Sequence, residues 1–244
     1  MSLWPSDESI TIEWAGLSFQ SIHDRCESPQ WGLEDTDWWN GGTSDPDVIR
    51  APRGVWTGTD HAAARTVSWS GLLECADRDE MLEEMQALQS ARGDTLRVWE
   101  VVEGRQASCR RGQVQVTPIS DRYATYSVTV ILDDPLVSSV DELVLNQSVT
   151  VRNIGSVPSW PRVTVNGPTA AGPVVKIGSW STQAPRALGH GEEFVVDTRQ
   201  GACFVGGSMV FPVLATLPSI PVGETVTIST DRGVGSVEGV SAWL

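Results

Sequence analysis

The sequence predicts a mostly β protein of two domains. The first is a sandwich or barrel-like β domain with one α-helix, and the second is a β-sandwich. Three observations support this class. Apolar residues alternate with polar ones in short runs along most of the 244 residues, which is the period of half-buried strands. The 23 glycines and 14 prolines are scattered between those runs, as expected of a turn-rich chain. Only one stretch has the spacing of an amphipathic helix, and Asp133-Asp134-Pro135 ends the first block of strands.

The first strands lie near the N-terminus. Ile10, Ile12 and Trp14 alternate with polar neighbours, which predicts a half-buried strand. The pattern repeats after Gly16, so we expect residues 10–22 to form a strand or a hairpin.

Residues 23–59 form a long segment with neither a strand nor a helix period. Loops of this length are commonly functional, and tryptophan is frequent among the residues that dominate binding at interfaces. A Trp-rich segment can also fold back over the sheet of its own domain, so both interpretations stay open. The tryptophans of the segment are Trp31, Trp38, Trp39 and Trp56.

Residues 65–135 have the clearest pattern, a strand followed by a helix and further strands. Asp77 lies three residues before Glu80, an arrangement in which the first side chain caps helix amides and the second reaches back. We predict a helix over about 77–91 and a left-handed turn at Gly93. The apolar stripe of the helix is Met81, Leu82, Met85 and Leu88. The strands are marked by Val67, Trp69, Gly71 and Leu73, then by Leu96, Val98, Glu100, Val114, Val116, Tyr126, Val128, Val130 and Leu132.

The composition changes after Pro135, where Ser138-Ser139 and Asp141-Glu142 separate two blocks. We therefore place the domains at 1–137 and 138–244. The second block contains strand and turn patterns, with a strong turn signal at Asn166-Gly167-Pro168, and predicts a two-sheet sandwich. Its strands are marked by Val149, Val151, Val163, Val165, Val175, Ile177, Phe194, Val196, Phe204, Val210, Val213, Val226, Ile228, Val237, Val240 and Trp243.

The net charge and the absence of long apolar runs exclude some classes of function. The net charge of -14 disfavours stable nucleic-acid binding, because phosphate neutralisation needs a basic face. No apolar run is as long as a membrane span, and the first residues lack the features of a secretory signal, so we expect neither membrane insertion nor export by such a leader.

The cysteines have no C-x-x-C spacing and are expected to be mostly reduced and buried, as in a cytoplasm. A disulfide of Cys26 with Cys75 or Cys109 is the alternative.

The sequence shows no catalytic constellation. It contains no nucleophile elbow, zincin motif or P-loop, and its three histidines are far apart. Residues 35–41 begin like a calcium loop, but the next ligand is one place late and Pro46 stands where a bidentate glutamate is needed. We interpret this stretch as an acidic surface turn, and Glu192, Glu193 and Asp197 as surface charge rather than a glycosidase pair. We predict no catalytic residue, no metal site and no cofactor.

In their order and spacing, the motifs of both blocks resemble the distal tail proteins of siphophage-type bacteriophages, which have long non-contractile tails. The first block resembles the N-terminal domain of that family and the second its C-terminal galectin-like β-sandwich. The resemblance covers most of the chain from about residue 50 to 244, and residues 1–49 match only loosely. In the first block it rests on Arg50-Ala51-Pro52-Arg53-Gly54, Arg65-Thr66-Val67-Ser68-Trp69-Ser70-Gly71-Leu72, the helix, Leu96-Arg97-Val98-Trp99 and Val130-Ile131-Leu132-Asp133-Asp134-Pro135. In the second block it rests on Ser159-Trp160-Pro161-Arg162-Val163-Thr164-Val165-Asn166-Gly167, Gly191-Glu192-Glu193-Phe194-Val195-Val196-Asp197-Thr198-Arg199, Ile220-Pro221-Val222-Gly223-Glu224-Thr225-Val226-Thr227-Ile228 and Ser241-Ala242-Trp243-Leu244.

The resemblance implies a structural virion protein, not an enzyme, that is made in the host cytoplasm and located at the distal end of the phage tail. It implies a homohexameric hub ring, formed by the first domain, between the tail tube protein with its tape measure protein and the tail-tip and receptor-binding proteins. We expect the ring or tail contact to involve Trp38, Trp39, Arg50 and Arg53. We expect the cores to include Trp69, Leu73, Met85, Leu88, Trp160 and Trp243.

Two alternatives belong to other functional classes. A carbohydrate-binding β-sandwich module of a tail-tip or cell-surface protein would show a planar row of exposed tryptophans with polar neighbours. Within the phage interpretation, the second domain could also bind host glycan. A tail-tip enzyme that hydrolyses cell wall would need paired carboxylates or a metal constellation, and the sequence shows neither.

Overall fold

The computed structural model describes residues 10–21, 28–39, 50–51, 54–55, 64–100, 103–211 and 218–244. The protein is mostly β, and these residues contain one α-helix, which confirms the predicted fold class. The chain divides into two compact units, Met1–Pro135 and Leu136–Leu244.

The first unit is built around one large sheet that continues from β8 through β7, β1, β2, β3, β6 and β10 to β9. Neighbouring strands are antiparallel except for the parallel pair β2 and β3, and β4 and β5 form a separate short pair. The elements are β1 (Thr11–Trp14), β2 (Leu17–Gln20), β3 (Gln30–Thr36), β4 (Arg50–Ala51), β5 (Gly54–Val55), β6 (Arg65–Glu74), α1 (Arg78–Ser90), β7 (Thr95–Trp99), β8 (Gly104–Ser108), β9 (Arg110–Pro118) and β10 (Tyr123–Leu132).

An aromatic cluster forms the core of the first unit. Trp14 of β1 and Trp69 of β6 meet edge to face with ring centroids 6.0 Å apart, although β2 and β3 lie between those strands. Three strand spacings in a flat sheet amount to about 14 Å. The sheet therefore curves until its inner faces pack on each other. Phe19, Trp31 and Tyr126 complete the cluster, with centroid distances of 5.2 to 5.6 Å.

The hairpin predicted at residues 10–22 is present as β1 and β2, joined by Ala15 and Gly16 with φ of 54° and 83°. The expectation of a loop through residues 23–59 is wrong at β3. Its alternation is broken because the register against β6 shifts between Leu33 and Asp35, which leaves Glu34 as the extra residue of a β-bulge.

The helix begins as predicted but ends differently. The Asp77 side chain accepts a hydrogen bond from Glu80 N at 3.0 Å, and the Glu80 side chain reaches back to Ala76 N at 2.6 Å. Gly93 has no positive φ, so the predicted left-handed turn is wrong. A Cβ at Gly93 would lie 2.7 Å from Trp14 Nε1, so close packing excludes a side chain there.

The helix packs against the sheet through both apolar and polar contacts. Met81 and Leu88 are buried as predicted, whereas Leu82 is 48% exposed, so its predicted place in the apolar stripe is wrong. Arg111 of β9 donates to the carbonyl oxygen of Gln89 at 2.7 Å. A cation at this end also complements the helix dipole.

The second unit contains only strands among its described elements. They are β11 (Val137–Ser139), β12 (Leu143–Arg152), β13 (Arg162–Asn166), β14 (Val174–Ile177), β15 (Trp180–Gln183), β16 (Glu193–Asp197), β17 (Ala202–Val205), β18 (Ser208–Phe211), β19 (Thr225–Glu238) and β20 (Ala242–Trp243). The strand order is β15, β14, β19, β13, β16, β17 and β18, with β12 also paired to β19 and β11 paired to β20.

The long ribbon of β12 and β19 is shared by both layers of this unit. Its register shifts between Asn146 and Ser148, where Gln147 has φ 68° and Gly233 of β19 has φ 83°. On one side of this kink β19 pairs with β14, and on the other side it pairs with β13. Buried residues from both sides form one core cluster, so the bent ribbon folds the strands into a sandwich.

The predicted core residues are largely inside. Trp69, Leu73 and Leu88 are fully buried, whereas Met85, Trp160 and Trp243 are half-buried. Cys75, Cys109 and Cys203 are buried free thiols, and Cys26 and Val213 lie outside the described residues.

Candidate interaction surface

A tight turn at the end of β3 positions the two tryptophans that the sequence singled out. Asp37 N donates to Ser68 O at 3.0 Å, and Ser68 N donates to Asp37 Oδ1 at 2.5 Å. Trp38 N donates to Thr36 Oγ1 at 3.1 Å. The two bonds to Ser68 of β6 and the one to Thr36 of β3 hold the backbone in a defined conformation where β3 leaves the sheet.

The turn presents one tryptophan inward and one outward. Trp38 is only 2% exposed, whereas Trp39 is 41% exposed. Their rings meet edge to face at 6.5 Å. The Arg65 guanidinium lies 5.3 Å from the Trp38 ring centroid, and that of Arg105 lies 5.0 Å from Trp39, both within the range of cation–π attraction. We call these four residues the Trp–Arg corner.

The charges of the corner are balanced within the unit. Burial lowers the pKa of Arg65, and the nearby carboxylate of Asp37 opposes that shift. Arg105 lies 3.5 Å from a Glu103 carboxylate oxygen. The surface that the corner offers a partner is therefore chiefly the exposed side of the Trp39 indole, which its neighbours hold in place.

The structure brings together two of the four predicted contact residues. Trp38 and Trp39 are adjacent, but Trp38 is covered by its own unit and supports Trp39 from beneath. Arg50 is placed by its backbone in β4, opposite Val55, and Arg53 lies outside the described residues. The contact role of all four stays a prediction.

Sequence reasoning missed Arg65 and Arg105 as the cations of this corner. Arg65 is the first residue of β6. The alternation along a strand does not indicate which residue of another strand an arginine at this position contacts. Arg105 lies in β8, a strand that the sequence pattern did not predict. No local feature indicates that these residues approach Trp38 and Trp39.

The other sequence candidates have structural roles. Asp37 binds a backbone amide in the turn, and Asp197 accepts a hydrogen bond from Gln200 N at 2.8 Å. Glu192 pairs with Arg186 through two bonds of 2.7 Å, and this pairing lowers its pKa to about 2. His190 is exposed, whereas His23, His61 and Trp56 lie outside the described residues.

Within the described ranges, no group of three or more His, Cys, Asp or Glu side chains is placed to hold a metal ion. In the same part of the chain, no helix combines the length and hydropathy required to cross a membrane.

Comparison with known proteins gives similarity at the level of fold. No protein-family model matches the sequence, and no curated protein sequence matches it. Among solved structures, the chain is similar to the crystal structure of the SPP1 Dit protein, which is described as a paradigm of the hub adsorption apparatus in phages that infect Gram-positive bacteria. The TM-score is 0.52 at 12% identity, over 96% of this chain and 99% of that one. Chains of the phage P2 baseplate in its activated conformation, with Ca or with Sr, give a TM-score of 0.44 at 8% identity, over 95% of this chain and 97% of theirs. The first similarity shows that the two proteins share a fold.

Proposed function

We propose that this chain is a structural subunit of a phage tail, a distal tail hub protein that forms a homohexameric ring. The observation that carries the proposal is the fold shared with SPP1 Dit along almost the whole length of both chains. The similarity spans both units, so it extends beyond a single common β-sandwich. The shared fold agrees with the family that the sequence motifs resemble, and the motifs are an independent observation.

The surface of the first unit suits the closure of a ring. A ring needs a heterologous interface, in which one surface of a copy binds a different surface of the next. Among the described strands β9 is the last of the sheet, and none of its side chains is fully buried. Such an edge has backbone groups available for another chain.

Specific contacts must overcome repulsion between copies. Each chain has a net charge of -14, which keeps subunits apart without a complementary interface. Trp39 is a suitable anchor, because tryptophans that are held rigidly and become buried on binding commonly dominate interface energies. We propose Trp39, supported by Trp38, together with Arg50 and Arg53, as ring or tail contacts.

The same proposal defines partners and location. The ring would join the tail tube protein and the tape measure protein to the tail-tip and receptor-binding proteins, at the distal end of the virion. The second unit, for which we propose a galectin-like sandwich, would project as a platform. The role requires no cofactor, no catalytic residue and no stable binding of nucleic acid.

Light scattering on the purified chain, with negative-stain images of the same peak, tests the proposal. We expect a mass six times that of the 26.4 kDa chain and a ring with a central pore. Trp39→Ala should shift the population toward monomer, whereas Trp99→Ala, at a tryptophan of similar exposure, should leave the ring intact. A chain that stays monomeric at every concentration and does not bind isolated tail tubes would contradict the hub function.

A further inference from the structure

Trp99 ends β7 on the face of the first unit's sheet that points away from the aromatic core. Its neighbour Val98 is fully buried, whereas Trp99 is 36% exposed. Gly104 lies opposite it in β8, and a Cβ there would come within 2.4 to 3.0 Å of three atoms of the indole six-membered ring. The ring therefore rests against the glycine backbone, and part of it remains open to solvent.

Polar side chains lie beside this indole on the same face. Thr11 of β1 is directly opposite Trp99, and Gln20 of β2 is opposite Thr11. The next cross-strand row pairs Arg97 with Glu13 and with a glutamine of β8. The polar residues of the face are Thr11, Glu13, Ser18, Gln20, Arg97 and Gln106.

A groove of about 510 Å³ begins at this face. Glu13, Ser18 and Arg97 line it from the sheet, and Arg92 and Asp94 line it from the loop after α1. Its volume is within the range of small-molecule sites. Two arginines and two carboxylates leave the groove without net charge, so it suits a neutral polar ligand. The net charge of -14 of the whole chain repels polyanions.

We propose that this face and groove bind an oligosaccharide of β-1,4-linked gluco-configured rings, with Trp99 as the stacking platform. Such rings carry their hydroxyls at the edge and have flat C–H faces, which match a flat indole that has hydrogen-bonding groups beside it. Arg97 is two residues from Trp99, about 7 Å along an extended strand. A linear chain stacked on Trp99 therefore continues past Arg97 into the groove. The site is separate from the Trp–Arg corner and independent of the hub function.

The inference is tested by titrating the full chain with cellotetraose and with chitotetraose. Binding is detected by saturation-transfer NMR and by tryptophan fluorescence. We expect saturable binding of at least one of them with a Kd of about 1 mM or below, and weaker binding of the α-linked, curved maltotetraose. Trp99→Ala should weaken binding by about tenfold or more, as expected for the loss of an aromatic contact. Trp39→Ala should bind as the wild type does.

A second variant separates stacking from folding. Gly104→Ala retains Trp99 but places a methyl group where the indole rests, so it should also reduce affinity while thermal melting confirms a folded chain. The inference is overturned if neither tetrasaccharide binds at about 10 mM, or if Trp99→Ala binds as tightly as wild type. It is also overturned if Trp99→Ala instead prevents ring assembly, since the face would then be a protein interface.

Discussion

Replacing Asn153 is expected to destabilise the second unit more than any exposed polar substitution in it. The residue follows β12 and is completely buried. Its Nδ2 donates to Val157 O at 2.8 Å and Ile220 O at 2.9 Å, and its Oδ1 accepts from Gly155 N at 2.9 Å. One amide thus satisfies three backbone groups, of which Gly155 and Val157 lie two and four residues after it and Ile220 lies 67 residues away.

The cost of Asn153→Ala follows from what those groups lose. Ile220 O keeps a hydrogen bond from Ser159 N, so the main penalties fall on Gly155 N and Val157 O. At 1–3 kcal/mol for each buried group left without a partner, we expect a loss of about 3 kcal/mol in the free energy of unfolding. In a unit of this size that lowers the Tm by roughly 10–20 °C.

Thiol labelling in a urea series measures this unit alone. Cys203 is the single cysteine of residues 136–244 and is fully buried, so its labelling, followed by peptide mass spectrometry, reports opening of the second unit. Asn146→Ala, at an exposed asparagine of β12, is the matched control. Equal urea midpoints for Asn153→Ala and Asn146→Ala would refute the reasoning.

Three further predictions concern titration and capping. Burial raises the pKa of Cys75 and of Cys109 to about 11. Both thiols should therefore react with a thiol reagent far more slowly than a free cysteine peptide does, and their reaction should become faster as the pH approaches 11. Rapid labelling near neutral pH would contradict this. The folded-state pKa of Glu192 is lowered to about 2 by its arginine partner, so its pairing stabilises the fold above a pH of about 4.5 and that stabilisation is lost as the pH falls toward 2. The stability difference between wild type and Glu192→Gln should therefore disappear over that range in denaturation curves, and a difference that persisted at the acid end would argue against the pairing. Asp77→Ala should cost about 1 kcal/mol through loss of the helix cap, whereas Asp79→Ala, in the same first turn, should cost less when both are measured by urea denaturation; equal costs would show that the cap contributes little.

The sequence indicated the elements whose pattern is complete within a few residues. The alternation in β6 and β10 requires only neighbours along the strand, because successive side chains point to opposite faces. The bond from Glu80 N to Asp77 likewise spans three residues. These elements were therefore predicted correctly, whereas β3 was missed because its bulge interrupts the period.

The candidate surfaces depend on contacts between distant residues. Nothing near Trp39 in the sequence indicates that Arg105 packs on its ring. Trp99 carried a signal that could have been used, since a large apolar residue directly after the buried Val98 must point to the opposite face of the strand. Its support by Gly104, however, is visible only across the β7–β8 pair.

By itself, the sequence determined the mostly β class, the helix start and the turn-rich second block, because these follow from local periodicity, capping and turn chemistry. Only the tertiary structure decided that Trp38 is covered while Trp39 is exposed, and that Gly93 is required by packing against Trp14. It also decided that Arg111 caps a helix twenty-two residues before it in the chain. Such roles depend on how the sheet curves and which strands become neighbours, and that geometry is set by packing of the whole unit.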